Sequence, residues 1–222
     1  ERLELLVVVD PAMTESAQIA DYVLPTPVGY EKWEIAGFPK GHPQIYVQLR
    51  PPVVPGPPAA LPEPEIYARL VEAMRLVPEP PAELFALAAD AVASPDGAAA
   101  YMGAAMAAAG GSQANLLFWS YRALGPHLPS PALTAVWAQV HANAFIRLET
   151  LLRTLGDEWR AQSPFAVAAE VFRRILAHPE GVEIGRVDPD RGLEAIIGFD
   201  DKKVRLAPPP MLEEIGRAAR TD

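Results

Sequence analysis

The chain has 222 residues and no cysteine. Disulfide bonds, a cysteine-ligated iron–sulfur cluster and a thiolate metal ligand are therefore excluded within it. It also lacks an apolar run near the roughly 18 residues that suggest a membrane span. Its most alanine-rich stretch, residues 98–109, is too short and too weakly hydrophobic. We therefore expect no membrane insertion.

Basic residues are scarce relative to acidic ones, with 19 Lys and Arg against 28 Asp and Glu and a net charge of −9. Nucleic-acid binding leaves a basic footprint, so we expect no nucleic-acid partner. The chain also lacks the Gly-x-Gly-x-x-Gly, P-loop and Gly-x-Ser-x-Gly patterns. The histidines have no metal-ligand spacing; they are His42, His127, His141 and His178. The sequence therefore predicts no metal site in this chain.

The first thirty residues hold the pattern that points most directly to a fold. Residues 3–9 are apolar and rich in β-branched side chains, which is typical of a strand in a parallel sheet covered on both faces. Thr14 is a suitable N-cap for a short helix over residues 15–21, and residues 22–24 form a second strand that a proline ends. Asp10 follows the first strand directly, at the edge where open α/β sheets bind ligands.

The rest of the chain is predicted to be mainly helical. Residues 28–42 are predicted to be a loop, and the alternation over 44–49 predicts a half-buried strand. Helical periodicity with Pro, Ser and Gly boundaries predicts helices over 66–77, 82–93, 95–109, 115–124, 130–155, 164–175 and 212–219. Short strands are expected over 181–187, 195–199 and 204–206.

The predicted fold class is α/β. A Rossmann-like parallel-sheet fragment occupies residues 1–50, and a proline-rich connector spans residues 51–64. Residues 65–222 form a predominantly helical region that ends in a small β element. No repeat occurs at a fixed period, so a solenoid is not expected.

Asp10 is the first candidate binding residue. A carboxylate at a strand end can accept two parallel hydrogen bonds from a planar donor pair, and guanine offers such a pair at N1 and the exocyclic N2. Asp10 would then distinguish guanine from adenine. The alternative is that Asp10 only caps the following turn through an Asx hydrogen bond.

Three further residues are candidates for the same site. Lys32 can attract a pyrophosphate, or it can be a solvated lysine paired with Glu31 or Glu34. Thr14 can donate to a phosphate or cap a helix, and Val9 can contribute only its backbone.

The order of these features resembles the molybdopterin oxidoreductases, which carry a bis(molybdopterin guanine dinucleotide) cofactor with molybdenum or tungsten and include formate dehydrogenases and nitrate reductases. The resemblance rests on Val-Val-Val-Asp at 7–10, Thr-Glu-Ser-Ala at 14–17, Ala-Asp-Tyr-Val-Leu-Pro at 20–25 and Glu-Lys at 31–32. It implies that Asp10, with the backbone of Val9, binds the guanine end of one pterin dinucleotide. It also implies that Lys32 is a second cofactor contact. The specific part covers residues 3–35, and weaker similarity continues through 44–73 and 200–209.

The chain departs from this family where Trp33 to Pro39 replaces an asparagine and paired arginines. The iron–sulfur segment, the segment with the metal ligand and the C-terminal barrel have no counterpart here. We therefore expect a fragment of a catalytic subunit, inactive alone, whose iron–sulfur cluster lies elsewhere in the parent. Its expected partners are the remaining domains of the parent chain and an electron-transfer subunit. Two alternatives stay open: a non-catalytic electron-transfer scaffold of the same fold, such as a large subunit of respiratory complex I, and a stand-alone helical interaction module.

Overall fold

The computed structural model describes residues 3–36, 43–188 and 197–219. The protein is a mixed α/β chain, 56% helical, with a small parallel sheet, a predominantly helical region and a late strand followed by a helix. The predicted fold class is therefore confirmed. The chain divides into two compact units, Glu1–Arg186 and Val187–Asp222.

The N-terminal segment is a parallel strand pair. Strand β1 (Val7–Asp10), helix α1 (Glu15–Gln18) and strand β2 (Tyr22–Pro25) follow one another. The strands pair in parallel with Val7 opposite Tyr22 and Asp10 opposite Pro25. The two strands and the helix exist as predicted, but β1 is shorter than residues 3–9 and α1 is shorter than residues 15–21.

The expected double-sided burial of β1 is wrong for the described residues. Leu3, Leu5 and Val7 are 78%, 58% and 41% exposed, and Ile19 and Tyr22 are 77% and 64% exposed. These side chains are as apolar as those of a buried parallel strand, but the described part of the chain does not cover them. An exposed apolar surface of this kind can contact another protein surface or another segment.

A second sheet is antiparallel and has the order β3-β4-β5. It contains β3 (Glu34–Ala36), β4 (Gln44–Arg50) and β5 (Val182–Arg186). The prediction for residues 44–49 is confirmed, because Val47 and Leu49 are buried while Tyr46 is 55% exposed. The prediction of a loop over 28–42 is wrong at β3, which is too short to show an alternating pattern.

Helices make up most of the first unit. Their bounds are α2 (Glu63–Met74), α3 (Ala82–Ala93), α4 (Pro95–Ala109), α5 (Gln113–Leu124), α6 (Thr134–Ile146), α7 (Leu148–Leu155) and α8 (Pro164–Ala177). Serine hydroxyls cap three of them, since Ser94, Ser112 and Ser163 accept hydrogen bonds from the backbone N–H groups of Gly97, Asn115 and Ala166. None of the helices in the described part of the chain combines the length and apolar character needed to cross a bilayer.

The hydrophobic core lies between these helices and one face of β4. Small residues on α4 let it lie close to α3, since Ala98, Ala105 and Ala109 are all buried. Two tryptophans anchor the helices in this core, since Trp119 and Trp137 are each 4% exposed. The Trp119 indole N–H also donates a 2.8 Å hydrogen bond to a backbone carbonyl in the α2–α3 loop.

The single helix predicted over 130–155 is wrong. A short 3₁₀ turn (Pro131–Leu133) precedes α6, and the chain leaves helical geometry at Arg147 (φ −133°, ψ 35°) before α7 begins. The break lets α7 lie directly against β5. A Cβ built on Gly185 in that strand would come within 3.1 Å of the Thr150 carbonyl oxygen. Packing against a strand far along the chain therefore overrides the helical pattern.

The second unit contains helix α9 (Pro209–Ala218), which exposes Met211, Leu212 and Ile215. A turn is present at residues 200–201. The strand expected over 195–199 lies partly outside the described residues, and 197–199 and 204–206 have no strand. β5 is therefore the only part of the expected C-terminal β element that the described residues contain.

The close contact between α3 and α4 can be tested with two glycine substitutions in α4. A Cβ on Gly97 would overlap the backbone carbonyl of Asp90 and lie 2.9 Å from the Ala91 nitrogen, whereas a Cβ on Gly103 meets nothing within 4 Å. Gly97→Ala should lower the free energy of unfolding by about 1–3 kcal/mol through overpacking. Gly103→Ala, the matched control in α4, should raise it by up to about 1 kcal/mol through helix propensity. Urea denaturation measures both, and equal effects would contradict the close approach.

Buried His141 predicts a pH dependence of stability. The ring is 1% exposed, lies 3.9 Å from the Trp137 ring and contacts the Trp137 carbonyl oxygen through Nδ1 at 2.8 Å. Its Nε2 has no hydrogen-bond partner among the described residues. Burial lowers the pKa of His141 from 6.5, against a smaller opposing effect of the Trp137 carbonyl.

His141 should make the protein less stable at low pH, because the unfolded chain takes up a proton on this side chain at a higher pH than the folded chain does. Above about pH 6.5 both states hold a neutral imidazole, so the contribution of His141 to stability is complete. As the pH falls toward the lower folded pKa, the unfolded chain binds the proton and stability declines. His141→Phe should flatten this part of the stability profile, measured by urea denaturation across pH. Exposed His127→Gln is the control, and an unchanged profile in His141→Phe would refute the assignment.

Candidate functional site

The candidate site lies at the carboxyl ends of β1 and β2. Asp10 is the last residue of β1 and stands opposite Pro25, the last residue of β2. Val9, the backbone candidate, stands opposite Leu24 in the same pair. Ligands of open α/β sheets bind beyond this edge, because the loops that follow parallel strands meet there.

Asp10 caps the turn that follows β1. Its Oδ1 accepts a 2.9 Å hydrogen bond from the backbone N–H of Ala12, and its Oδ2 lies 3.5 Å from the hydroxyl of Thr14. The turn-capping role is therefore present in the structure. An ionised carboxylate offers about four lone-pair positions, so these contacts leave room for further donors.

Thr14 is the N-cap of α1, as predicted. Its Oγ1 accepts a long hydrogen bond of 3.4 Å from the Ala17 N–H, while its hydroxyl points to Asp10. The structure thus brings Asp10 and Thr14 together. It does not join them directly to Lys32, whose side chain contacts a different residue.

The proline-rich connector lies along the residues that follow β2. Leu61 donates a 3.1 Å backbone hydrogen bond to the carbonyl of Pro25, and Val53 donates one of 2.8 Å to the carbonyl of Tyr30. These bonds hold the start of α2 beside the end of β2. Thr26, which follows β2, is only 5% exposed, and its hydroxyl lies beside the Glu63 carboxylate.

Lys32 pairs with Glu63 in the first turn of α2, and not with the predicted partners Glu31 or Glu34. Lys32 Nζ lies 2.6 Å from Glu63 Oε1, with side-chain exposures of 20% and 35%. Burial opposes ionisation of Glu63, but hydrogen bonds from Lys32 and from its own backbone N–H, together with the charge of Lys32 and the nearby Thr26 hydroxyl, hold its pKa below 4.5. The alternative in which Lys32 is a solvated lysine paired with Glu31 or Glu34 is therefore wrong, and its assignment to a cofactor stays a prediction.

A second ion network fixes α2 to the helical body. Glu65 Oε1 accepts from Arg69 at 2.8 Å, and its Oε2 accepts from Tyr121 at 3.1 Å and from Arg122 at 3.0 Å. Tyr121 and Arg122 lie on α5. α2 is therefore bonded to Lys32 through its first residue, to β2 through the preceding connector, and to α5 through Glu65.

Sequence reasoning missed Glu63 and Thr26 as members of the site. No local pattern signals either residue, because Glu63 is 31 positions from Lys32 and the prolines between them hide the contact. The only available clue is the stiffness of the connector, which limits where α2 can begin.

At least two cavities formed by the described residues lie away from this edge. One, of about 670 Å³, includes Trp159, Glu170 and Arg173, and the other, of about 270 Å³, lies between the antiparallel sheet and helices α6 to α8. In the first, hydrogen bonds from Arg173, assisted by Arg174, outweigh burial and lower the pKa of Glu170 to about 2. That carboxylate already accepts three hydrogen bonds from Arg173 and Arg174. Neither cavity includes Asp10 or Lys32.

The described residues contain no cluster of three or more His, Asp or Glu side chains that could hold a metal ion. The site at the β1–β2 edge can instead accept hydrogen bonds from a planar donor pair at Asp10 and attract an anion at Lys32. Groups of this kind can bind and orient a ligand. None of them carries out redox chemistry.

Comparison with known proteins gives no further assignment. No family model, no curated protein and no solved structure matches this chain.

The Lys32–Glu63 pair predicts a measurable coupling in stability. In a double-mutant cycle, the effects of Lys32→Met and Glu63→Gln on the free energy of unfolding should be non-additive by about 0.5–1 kcal/mol. This coupling lies at the upper end of the range for surface ion pairs, because both side chains are partly buried. The more exposed pair Arg160–Glu149, at 2.9 Å, is the comparison and should show a smaller coupling. Additive effects of Lys32→Met and Glu63→Gln would mean that the contact contributes nothing to stability.

Proposed function

We propose that this chain is the part of a molybdenum or tungsten bis(molybdopterin guanine dinucleotide) oxidoreductase that binds the guanine dinucleotide end of the cofactor. The observation that carries the proposal is the position of Asp10 at the carboxyl end of a parallel strand pair, with the following turn fixed by its own carboxylate.

The residues present fit such a group. The Asp10 carboxylate has lone pairs left after its contacts with Ala12 and Thr14, and guanine N1–H and N2–H can approach the same carboxylate in its plane. Adenine has no matching pair of donors. The selectivity expected of this site is therefore for guanine.

Lys32 is assigned to the phosphates or the pterin. Its side chain is 20% exposed, so it lies at the surface but is held in place by Glu63. An ammonium attracts a pyrophosphate without requiring fixed geometry. The buried Thr26 adds a hydroxyl beside Glu63 at the same edge.

The parent enzyme would transfer two electrons to or from a small substrate, and the bound cofactor supplies that redox chemistry. This chain has no cysteine, so an iron–sulfur cluster would be bound by other parts of the parent. The exposed apolar side chains of Leu3, Leu5 and Ile19 support contact with those parts. In this proposal the chain contributes binding and orientation.

The proposal is tested by nucleotide binding to the 222-residue chain. Titration calorimetry with GDP and ADP should show a preference for GDP of at least about tenfold, since a lost pair of charge-assisted hydrogen bonds is worth more than 1.4 kcal/mol. Asp10→Asn keeps an acceptor for the Ala12 N–H but faces guanine with an amide donor. It should abolish the preference while leaving the fold intact.

Glu15→Gln is the matched control, because it removes the same charge from an exposed residue of α1. It should leave the preference for GDP unchanged. Equal binding of GDP and ADP, or a preference that survives Asp10→Asn, would overturn the assignment of Asp10 to guanine.

A further inference from the structure

Glu63 occupies the position where an anionic ligand of Lys32 would bind. Its Oε1 lies 2.6 Å from Lys32 Nζ, a short charge-assisted contact between two half-buried side chains. A diphosphate oxygen that approached the same ammonium would accept hydrogen bonds from the same N–H groups. Glu63 is therefore placed as an internal substitute for a ligand phosphate.

The backbone holds Glu63 in this position. The Leu61 N–H bonds to the Pro25 carbonyl at 3.1 Å, two residues before Glu63 enters α2. The network around Glu65 fixes the same helical turn to α5. Because both sides of Glu63 are anchored, its carboxylate cannot withdraw from Lys32 by moving the helix. It can leave only by changing its side-chain rotamer.

The neighbouring charges increase the effect of Glu63. The carboxylate of Glu31, the residue before Lys32, is already bonded to the Val28 N–H at 3.0 Å, and Asp10 is the acid at the end of β1. The whole chain carries a net charge of −9. An incoming polyanion therefore meets repulsion that Lys32 offsets only when its ammonium is free of Glu63.

We propose that Glu63 is an internal competitor for Lys32, and that it thereby sets the affinity of this edge for the diphosphate group of a dinucleotide. The proposal rests on the proposed function for the identity of the ligand. In physical terms, a ligand anion displaces the Glu63 carboxylate from the single ammonium group of Lys32.

Glu63→Gln separates the charge of Glu63 from its hydrogen bond. The amide oxygen of Gln can still accept from Lys32 Nζ, while the competing negative charge is gone. Inorganic diphosphate and GDP should each bind roughly tenfold more tightly to this variant in low-salt titration calorimetry. The gain should shrink as salt is added, and it should vanish in the double variant Lys32→Met/Glu63→Gln.

Glu83→Gln is the matched control, because it changes the net charge equally at an exposed residue of α3. It should leave the affinity for diphosphate unchanged. Thermal denaturation of every variant verifies that the chains compared are folded.

The two probes distinguish failure of this inference from failure of the proposed function. Tighter diphosphate binding in Glu63→Gln without any preference for guanine supports the competitor role and refutes the guanine assignment. A preference for GDP that depends on Asp10, with affinity unchanged or weakened in Glu63→Gln, supports the function and overturns the competitor role. If neither probe binds the chain or its Glu63→Gln variant, both are overturned.

Discussion

The parallel pairing of β1 with β2 is the constraint on which the candidate site depends. It brings Asp10 level with Pro25, so that the residues after both strands emerge at one edge. The Pro25 carbonyl then receives the Leu61 N–H, and this bond places the first turn of α2 beside Lys32. Without the strand pair, the acid at residue 10 and the lysine at residue 32 would belong to unrelated turns.

The site is built from groups that already satisfy one another. Asp10 caps its own turn, Thr14 caps α1, and Glu63 neutralises Lys32. This arrangement stabilises the edge in the absence of a ligand, since a buried charge or polar group without a partner is costly. In the proposed function, guanine would use the lone pairs that Asp10 has left, whereas an anion at Lys32 would have to displace the Glu63 carboxylate.

Much of the local structure was predictable from neighbouring residues. Helix α3 begins and ends as predicted, and α8 begins at Pro164 behind its serine cap. Caps and prolines act within one helical turn, so their effects can be derived from the sequence. The antiparallel strand β3 and the break at Arg147 were missed, because β4 and β5 impose them from distant parts of the chain.

At the candidate site, the local sequence was enough to predict Asp10 after a strand, Thr14 at a helix start and a lysine on the loop beyond β2. Each of these positions follows from adjacent residues. Only the tertiary structure decided that Lys32 pairs with Glu63, that Thr26 is buried, and that Leu3, Leu5 and Val7 stay exposed. Those outcomes depend on how far-separated segments pack, and a contact across 31 residues leaves no periodic trace in the chain.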